Sequence, residues 1–387
     1  MPGAKSIDAS PLPEGFTLLQ ITPALDAGGV EQATLDMAAA VARVGRNSLV
    51  ASRGGAMEGE LFRAGAELVR LPVDARDPVS LLLNAHRLAR VIRERGVSLM
   101  HVRSRAPAFS ALMASRTTGV PLVATYHGIY SARSGLKRWY NGVMTRGDRV
   151  IANSAFTRER ILAEHHVDVS RIALVSEAVD TAFFDPDTVS PERTASVRAS
   201  WGLADDDLRP VILMAARLTG WKGHAIAARA FERASLGDRA VLVLTGTRDG
   251  GAQGAALAAI SPHARLVGPC ADMPAAFLAA SLVVAPSTQA ESFGRTVVEA
   301  QAMGRPVLAS AIGAHAETVI DGETGWLVPA GDVDAWAAAL TRALATPTAR
   351  LASMGQAARQ RATRLYSLPA MYAATFEVYR QLLEAAA

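Results

Sequence analysis

Two glutamates stand with seven residues between them in Glu291-Ser-Phe-Gly-Arg-Thr-Val-Val-Glu299. The glycine at 294 sits where a helix is expected to open, and glycine lets a ligand approach the backbone closely. The unpaired amides of that first turn, Phe293, Gly294, Arg295 and Thr296, would point at an anionic or polar group. Glu291, just before the helix, can reach sugar hydroxyls, and Glu299 can accept from a second diol such as a ribose. Taken by itself, each carboxylate also reads as an ordinary solvated residue.

Arg217-Leu-Thr-Gly-Trp-Lys222-Gly223 follows an expected strand, and two cations at this spacing can clamp both phosphates of a diphosphate. They would neutralise a departing diphosphate as its bond to a sugar breaks. Lysine is scarce, with three among 40 Lys and Arg, so its presence in this loop is not composition alone. Gly28-Gly29-Val-Glu31 opens a helix in the manner of a phosphate or close-approach loop. It lacks the full G-x-G-x-x-G fingerprint, which argues against a nicotinamide enzyme. His127, in Tyr126-His127-Gly128, closes a strand and is placed to face a cleft, with a structural role as the rival reading; His101 reads as a core or rim residue. The loop after Leu266–Val267, through Pro269 and Cys270, is positioned to contact a base. No His, Cys and Asp cluster has metal-ligand spacing, and no Ser-His-Asp arrangement suggests hydrolysis.

These residues need a scaffold. Short apolar runs alternate with helical stretches from end to end, the pattern of parallel sheets with crossover helices. Strands are expected at Phe16–Ile21, Ser48–Ser52, Glu67–Leu71, Leu99–Val102, Leu122–Thr125, Val150–Ala152 and Ile172–Val175. Helices are expected at Glu31–Val44, Leu81–Arg95 and Ala155–His165. The second of these should bury Leu81, Ala85, Leu88 and Ile92 and turn Arg87, Arg90 and Arg93 outward. Residues 180–208, with Pro186, Pro191 and Asp205–Asp207, break the rhythm and read as a linker. Strands resume at Val211–Ala215, Val241–Thr245, Leu266–Val267, Leu282–Ala285 and Val307–Ala309, and residues 332–387 read as helices. Every motif falls in a loop after a strand, where open α/β sheets bind ligands.

With 387 residues, half of them hydrophobic, the chain is long enough for two cores. One cysteine, Cys270, excludes an internal disulfide and fits a reducing compartment. No apolar run approaches the roughly 20 residues of a membrane span. Met1 to Pro13 carries a lone Lys5 and no apolar stretch, so no cleaved leader is expected. Residues 1–180 hold 22 Lys and Arg against 17 Asp and Glu, out of 40 and 36 in the chain. That basic half suits a phosphorylated substrate or an anionic membrane face, or is plain solvated surface. Leu136-Lys137-Arg138-Trp139-Tyr140, with Arg146 and Arg149 nearby, is the patch that could rest on such a membrane. No aromatic interleaving marks a nucleic-acid surface.

Together the motifs resemble the family-four glycosyltransferases, retaining enzymes of the GT-B fold. The likeness runs from Gly28 to about Val328, and the Glu291…Glu299 pair is its most specific mark. Gly304-Arg-Pro306-Val and Gly322-Glu-Thr-Gly325-Trp-Leu-Val continue it. Two stretches depart: Ser176-Glu177-Ala178-Val179-Asp180, where the family often has Asn-Gly, and Gly313-Ala314-His-Ala-Glu317, where it has paired glycines. The resemblance implies two doubly wound, Rossmann-like parallel-sheet domains facing across a cleft. Their expected extents are 1–185 for the acceptor and 186–366 for the nucleotide sugar, with 367–387 as a helix crossing back to the first domain. It implies Glu291, His127, Arg217 and Lys222 as catalytic residues. It implies donor binding by Gly28, Gly29, Arg217, Lys222, Val267, Phe293, Gly294, Arg295 and Glu299. It implies no metal and no resident cofactor, with a UDP- or GDP-sugar as co-substrate. The acceptor would be a glycan or a lipid-linked molecule of cell-surface polysaccharide or lipopolysaccharide synthesis. The location would be cytoplasmic, peripheral on the inner face of the membrane. Rival readings are a sugar-nucleotide epimerase, a phosphorylase, a nicotinamide oxidoreductase and a non-catalytic nucleotide-binding protein.

Overall fold

The computed structural model describes residues 12–26, 28–130, 134–246 and 251–386. The start, on which the expectation about a leader rests, lies largely outside them. The chain divides into two compact units, one formed by residues up to Ser176 together with Pro369–Ala387, the other by Glu177–Leu368.

The first unit is built on seven strands: β1 (Thr17–Ile21), β2 (Asn47–Ser52), β3 (Glu67–Arg70), β4 (Leu99–Val102), β5 (Leu122–Tyr126), β6 (Arg149–Ala152) and β7 (Ile172–Leu174). They pair in parallel throughout, in the order β3-β2-β1-β4-β5-β6-β7. β1, Thr-Leu-Leu-Gln-Ile, is buried along its whole length, as a parallel strand covered on both faces must be. The chain winds outward from β1 to β3, then returns to lay β4 on the other side. The loops after β1 and β4 therefore diverge at the switch between the two directions.

The second unit repeats the winding with β8 (Val211–Ala215), β9 (Val241–Thr245), β10 (Ala264–Val267), β11 (Leu282–Ala285), β12 (Val307–Ser310) and β13 (Gly325–Val328), in the order β10-β9-β8-β11-β12-β13. Period-two alternation fixes its cores. Val211, Leu213, Val241 and Val243 enter one cluster, while Ile212, Met214, Leu242 and Leu244 enter the cluster on the opposite face. Here the switch lies between β8 and β11.

Three details differ from the sequence expectations. The sequence marks β13 only as part of the Gly322–Val328 stretch, not as a strand. Residues 180–208 are not a plain linker, because Pro191–Ser200 is helical, Val197 and Trp201 join the core, and Arg193 forks onto Asp272 at 2.7 and 2.8 Å. The helix at 81 starts earlier, at Pro78, so Leu81 is only half-buried, while Ala85, Leu88 and Ile92 are buried and the three arginines face outward.

The helix Leu368–Ala386 gives the first unit a buried anchor. Tyr379 Oη lies 2.5 Å from His101 Nδ1, and Thr125 Oγ1 lies 2.6 Å from its Nε2. Burial, more than the charges of Arg103 and His127, holds that imidazole well below its ordinary pKa. It is therefore neutral and uses one nitrogen as donor and the other as acceptor. Tyr379→Phe should strip one partner from a desolvated ring and cost about 1–3 kcal/mol, measurable by denaturant unfolding. An unchanged midpoint would show the bond to be idle.

Candidate active site

The switch between β8 and β11 gathers the charged loops of the second unit. After β8, the short turn Gly220–Lys222 ends at Gly223, whose φ of 85° is left-handed. A Cβ there would stand 1.8 Å from the carbonyl oxygen of Pro286, so only glycine lets the two loops touch. The Trp221 carbonyl accepts from the Thr288 amide at 2.8 Å and from its hydroxyl at 3.2 Å. Held in this way, Lys222 Nζ meets Glu291 Oε2 at 2.8 Å, and Ser287 Oγ donates to Glu291 Oε1 at 2.6 Å.

The pair is mostly withdrawn from solvent, with side chains 18% and 14% exposed. Burial alone would raise the Glu291 carboxyl. The Lys222 charge, His315 and the hydrogen bonds outweigh it and hold the group below the usual value. The site therefore carries a fixed carboxylate-ammonium pair beside a helix start. Gly294, with φ of 83°, caps the helix Arg295–Ala302. Helical geometry leaves the first-turn amides without an intrahelical acceptor.

His315 completes this wall. It is 1% exposed, its Nε2 lies 3.7 Å from Glu291 Oε1, and a Cβ on Gly294 would come within 2.6 Å of its ring. With Lys222, Ser287, Glu291, Gly294 and Thr296 it lines one small hollow. Burial pulls its pKa below the ordinary value despite the pull of Glu291. Between the folded and unfolded values the native state binds fewer protons than the unfolded one, so stability rises with pH there. His315→Leu should lose less stability than the unaltered chain between pH 6.5 and pH 5 in chemical denaturation. Identical slopes would mean that the imidazole is charged in the folded state.

The other sequence candidates fall in different places. Glu299 is 16% exposed and turns to Arg295, Oε1 to Nε at 3.6 Å. Burial raises its carboxyl more than Arg295 lowers it. The Phe293 ring is in the core, edge-on to Tyr366 at 5.5 Å, so only its backbone is available to a ligand. Arg217 is exposed and does not line the hollow. Val267 ends β10 and packs on the core.

Gly28, Gly29 and His127 belong to the first unit. Gly28 caps the helix Gly29–Arg43 after β1, and a Cβ on it would meet only the mobile end of Glu31, 2.5 Å away. His127 follows β5, its Nε2 3.3 Å from Arg103 Nη1. Arg103 is 4% exposed and donates from Nε to Gln20 Oε1 at 2.9 Å, and Gln20 in turn donates to the Thr34 carbonyl at 2.9 Å. A guanidinium can only donate, so that contact makes Nε2 of His127 the acceptor and leaves the proton on Nδ1.

Sequence reasoning missed Ser287, His315 and Arg103. His315 lay inside a stretch singled out only for its departure from paired glycines. Ser287 and Arg103 carried no signal before the strands were placed side by side. Among the described residues no group of three or more His, Cys, Asp or Glu could hold a metal ion. No helix among them is long and apolar enough to cross a membrane.

Residues 27–183 match the family model described as Glycosyltransferase Family 4, and residues 209–346 match that described as Glycosyl transferases group 1. Over 318 residues, 77% of this chain and 79% of its relative, the chain is 30% identical to a GDP-mannose-dependent alpha-(1-6)-phosphatidylinositol monomannoside mannosyltransferase of Mycolicibacterium smegmatis. The chain belongs to the family-four glycosyltransferases. The chain is also 37% identical over 209 residues to a D-inositol 3-phosphate glycosyltransferase of Mycobacterium sp. (strain KMS). That match covers 50% of the chain and 44% of the relative, so the chain spans about half the length of the curated relatives of this kind. Among solved structures it is similar to a glycosyltransferase from Rickettsia africae, with TM-score 0.88 and 27% identity over 96% of this chain and 99% of that one. The Anabaena Alr3699/HepE protein, solved with UDP, has TM-score 0.80 at 21% identity over 94% and 99% of the two chains, and shares the fold. The expectation of GT-B architecture, two Rossmann-like parallel-sheet domains, holds.

Proposed function

We propose that the protein transfers a sugar from a nucleoside-diphosphate donor to a glycan or lipid-linked acceptor, with retention and without a metal. The observation that carries this reading is the Lys222–Glu291 pair at the strand switch of the second unit, beside the amides capped by Gly294. Lys222 and these amides take the diphosphate, and Arg217, exposed on the same loop, adds a second charge from solvent. Glu299 takes the ribose and Glu291 the transferring sugar, and His127 and the Gly28-Gly29 loop serve from the first unit. As the sugar departs, negative charge grows on the diphosphate and the fixed donors stabilise it more than the ground state.

UDP and GDP are the donors to try first: one similar structure was solved with UDP, and one relative is described as GDP-mannose-dependent. The work of the enzyme would lie in cell-surface polysaccharide or lipopolysaccharide synthesis on the cytoplasmic face of a membrane. Leu136 and Trp139, 76% and 55% exposed, would rest on it, with Lys137 and Arg138 meeting anionic headgroups. Flotation with phosphatidylcholine vesicles, with and without anionic lipid, tests the contact: it requires anionic-lipid-dependent binding and fails without it.

The function itself is tested with a panel of UDP- and GDP-sugars. One donor should raise the melting temperature and be consumed only when an acceptor is present. Donor consumption without acceptor would favour an epimerase or hydrolase, and demand for inorganic phosphate a phosphorylase.

A further inference from the structure

A separate hollow of about 430 Å³ lies wholly within the second unit, a volume that suits a small molecule. The helix Pro191–Ser200 forms one side of it, and Leu278, on the helix Met273–Ala279, forms part of another. Arg305 enters the wall two residues before β12, which begins at Val307. The hollow therefore lies by the amino ends of the strands. Lys222 and Glu291 stand in loops after the carboxyl ends of β8 and β11, so this is not the donor site.

Arg305 holds a charge that its surroundings do not answer. Its Nε is buried and has no hydrogen-bond partner among the described residues. Burial pulls its pKa below the ordinary guanidinium value, and no neighbouring carboxylate pushes back. A guanidinium withdrawn from water without a counter-charge is costly. The carboxylates nearby are engaged elsewhere: Asp207 forks onto Arg209 at 2.9 and 2.7 Å, and Asp272 onto Arg193. Arg198 adds a second cation to the wall and turns one Nη to the Asp207 carbonyl. Asp205 is the wall's one carboxylate and is exposed, so the hollow carries a net single positive charge. Val189, Ala195 and Leu278 line the rest with carbon.

We infer that this hollow binds a small carboxylic acid with an apolar body, its carboxylate on Arg305 and its carbons against Val189, Ala195 and Leu278. The planar guanidinium fork suits either a carboxylate or a phosphate. The charge decides between them. A carboxylate matches the single net positive charge, whereas a phosphate brings close to two negative charges into a wall that already holds Asp205.

The test uses the intact chain and fluorine NMR, with para-fluorobenzoate as the acid and para-fluorobenzamide as its neutral counterpart. The benzoate should bind saturably and about tenfold or more tighter than the amide, and inorganic phosphate should not displace it. Arg305→Met should weaken benzoate binding about tenfold or more. Without ligand the same variant should unfold at a higher temperature, because an unpaired charge has left the interior. Ala195 is exposed on its helix, so Ala195→Glu brings a repelling carboxylate to the wall and should abolish binding even if Arg305→Met fails to fold. Both variants should bind UDP and GDP as the unaltered chain does. Equal binding of acid and amide, or no saturable binding of the benzoate, overturns the inference. So does benzoate binding that survives these substitutions or yields to inorganic phosphate.

Discussion

Lys222→Ala should lower kcat by about two to three orders of magnitude, the scale of losing one fixed electrostatic donor from a developing anion. The variant should also be less acid-sensitive than the unaltered chain. In the intact pair Glu291 is held below its ordinary pKa. Its contribution to stability is therefore present above the unfolded value and lost as pH falls through the folded one. Without Lys222 a carboxylate only 14% exposed loses its counter-charge and its pKa rises, so the variant is destabilised at neutral pH and loses less further stability on acidification than the unaltered chain. Lys222→Arg should recover part of kcat because the charge returns in a different shape. The checks are steady-state kinetics with donor saturating, and unfolding midpoints from pH 7 to pH 4. Turnover within a factor of a few of the unaltered chain would remove Lys222 from the mechanism.

Gly223→Ala should do comparable damage by a different route. An L-residue in the left-handed region costs about 1–2 kcal/mol. The added Cβ, 1.8 Å from the Pro286 carbonyl oxygen, must also push two loops apart. A total loss of about 2–4 kcal/mol is expected. Because Gly223 fixes the position of Lys222, and a misplacement of about 1 Å can cost roughly a hundredfold, activity should fall even at temperatures where the variant stays folded. Gly331→Ala is the control. It has φ of 80° with nothing within 4 Å of the added carbon, so it should lose about 1 kcal/mol and keep its turnover. Equal behaviour of the two variants would show that the contact with Pro286 is unimportant.

Most strands could be read early because they are short apolar runs, as a strand covered on both faces has to be. β13 was harder, since its first residue is Gly325, tolerated because a Cβ there would lie 2.2 Å from the Val307 carbonyl oxygen. The prolines around the helix Pro191–Ser200 make it look like a linker. Yet Ser190 followed by Pro191 is a start signal, and the Ser190 hydroxyl does accept from the Arg193 amide at 3.4 Å. Lys222 and Glu291 were legible because each sits in a loop with local glycine punctuation. Their pairing across 69 positions, and the closure of the wall by His315, depend on β8, β11 and β12 being neighbours. Local sequence carries no trace of that adjacency. The burial of the Phe293 ring is equally invisible locally, since its partner Tyr366 is remote in sequence.

A crystal of the intact protein soaked with UDP or GDP bears most directly on the donor site. The diphosphate should lie within hydrogen-bond reach of Lys222 Nζ and of the backbone amides at Gly294 and Arg295. A nucleotide bound anywhere else on the molecule would contradict the assignment of the β8–β11 switch as the place from which the sugar leaves.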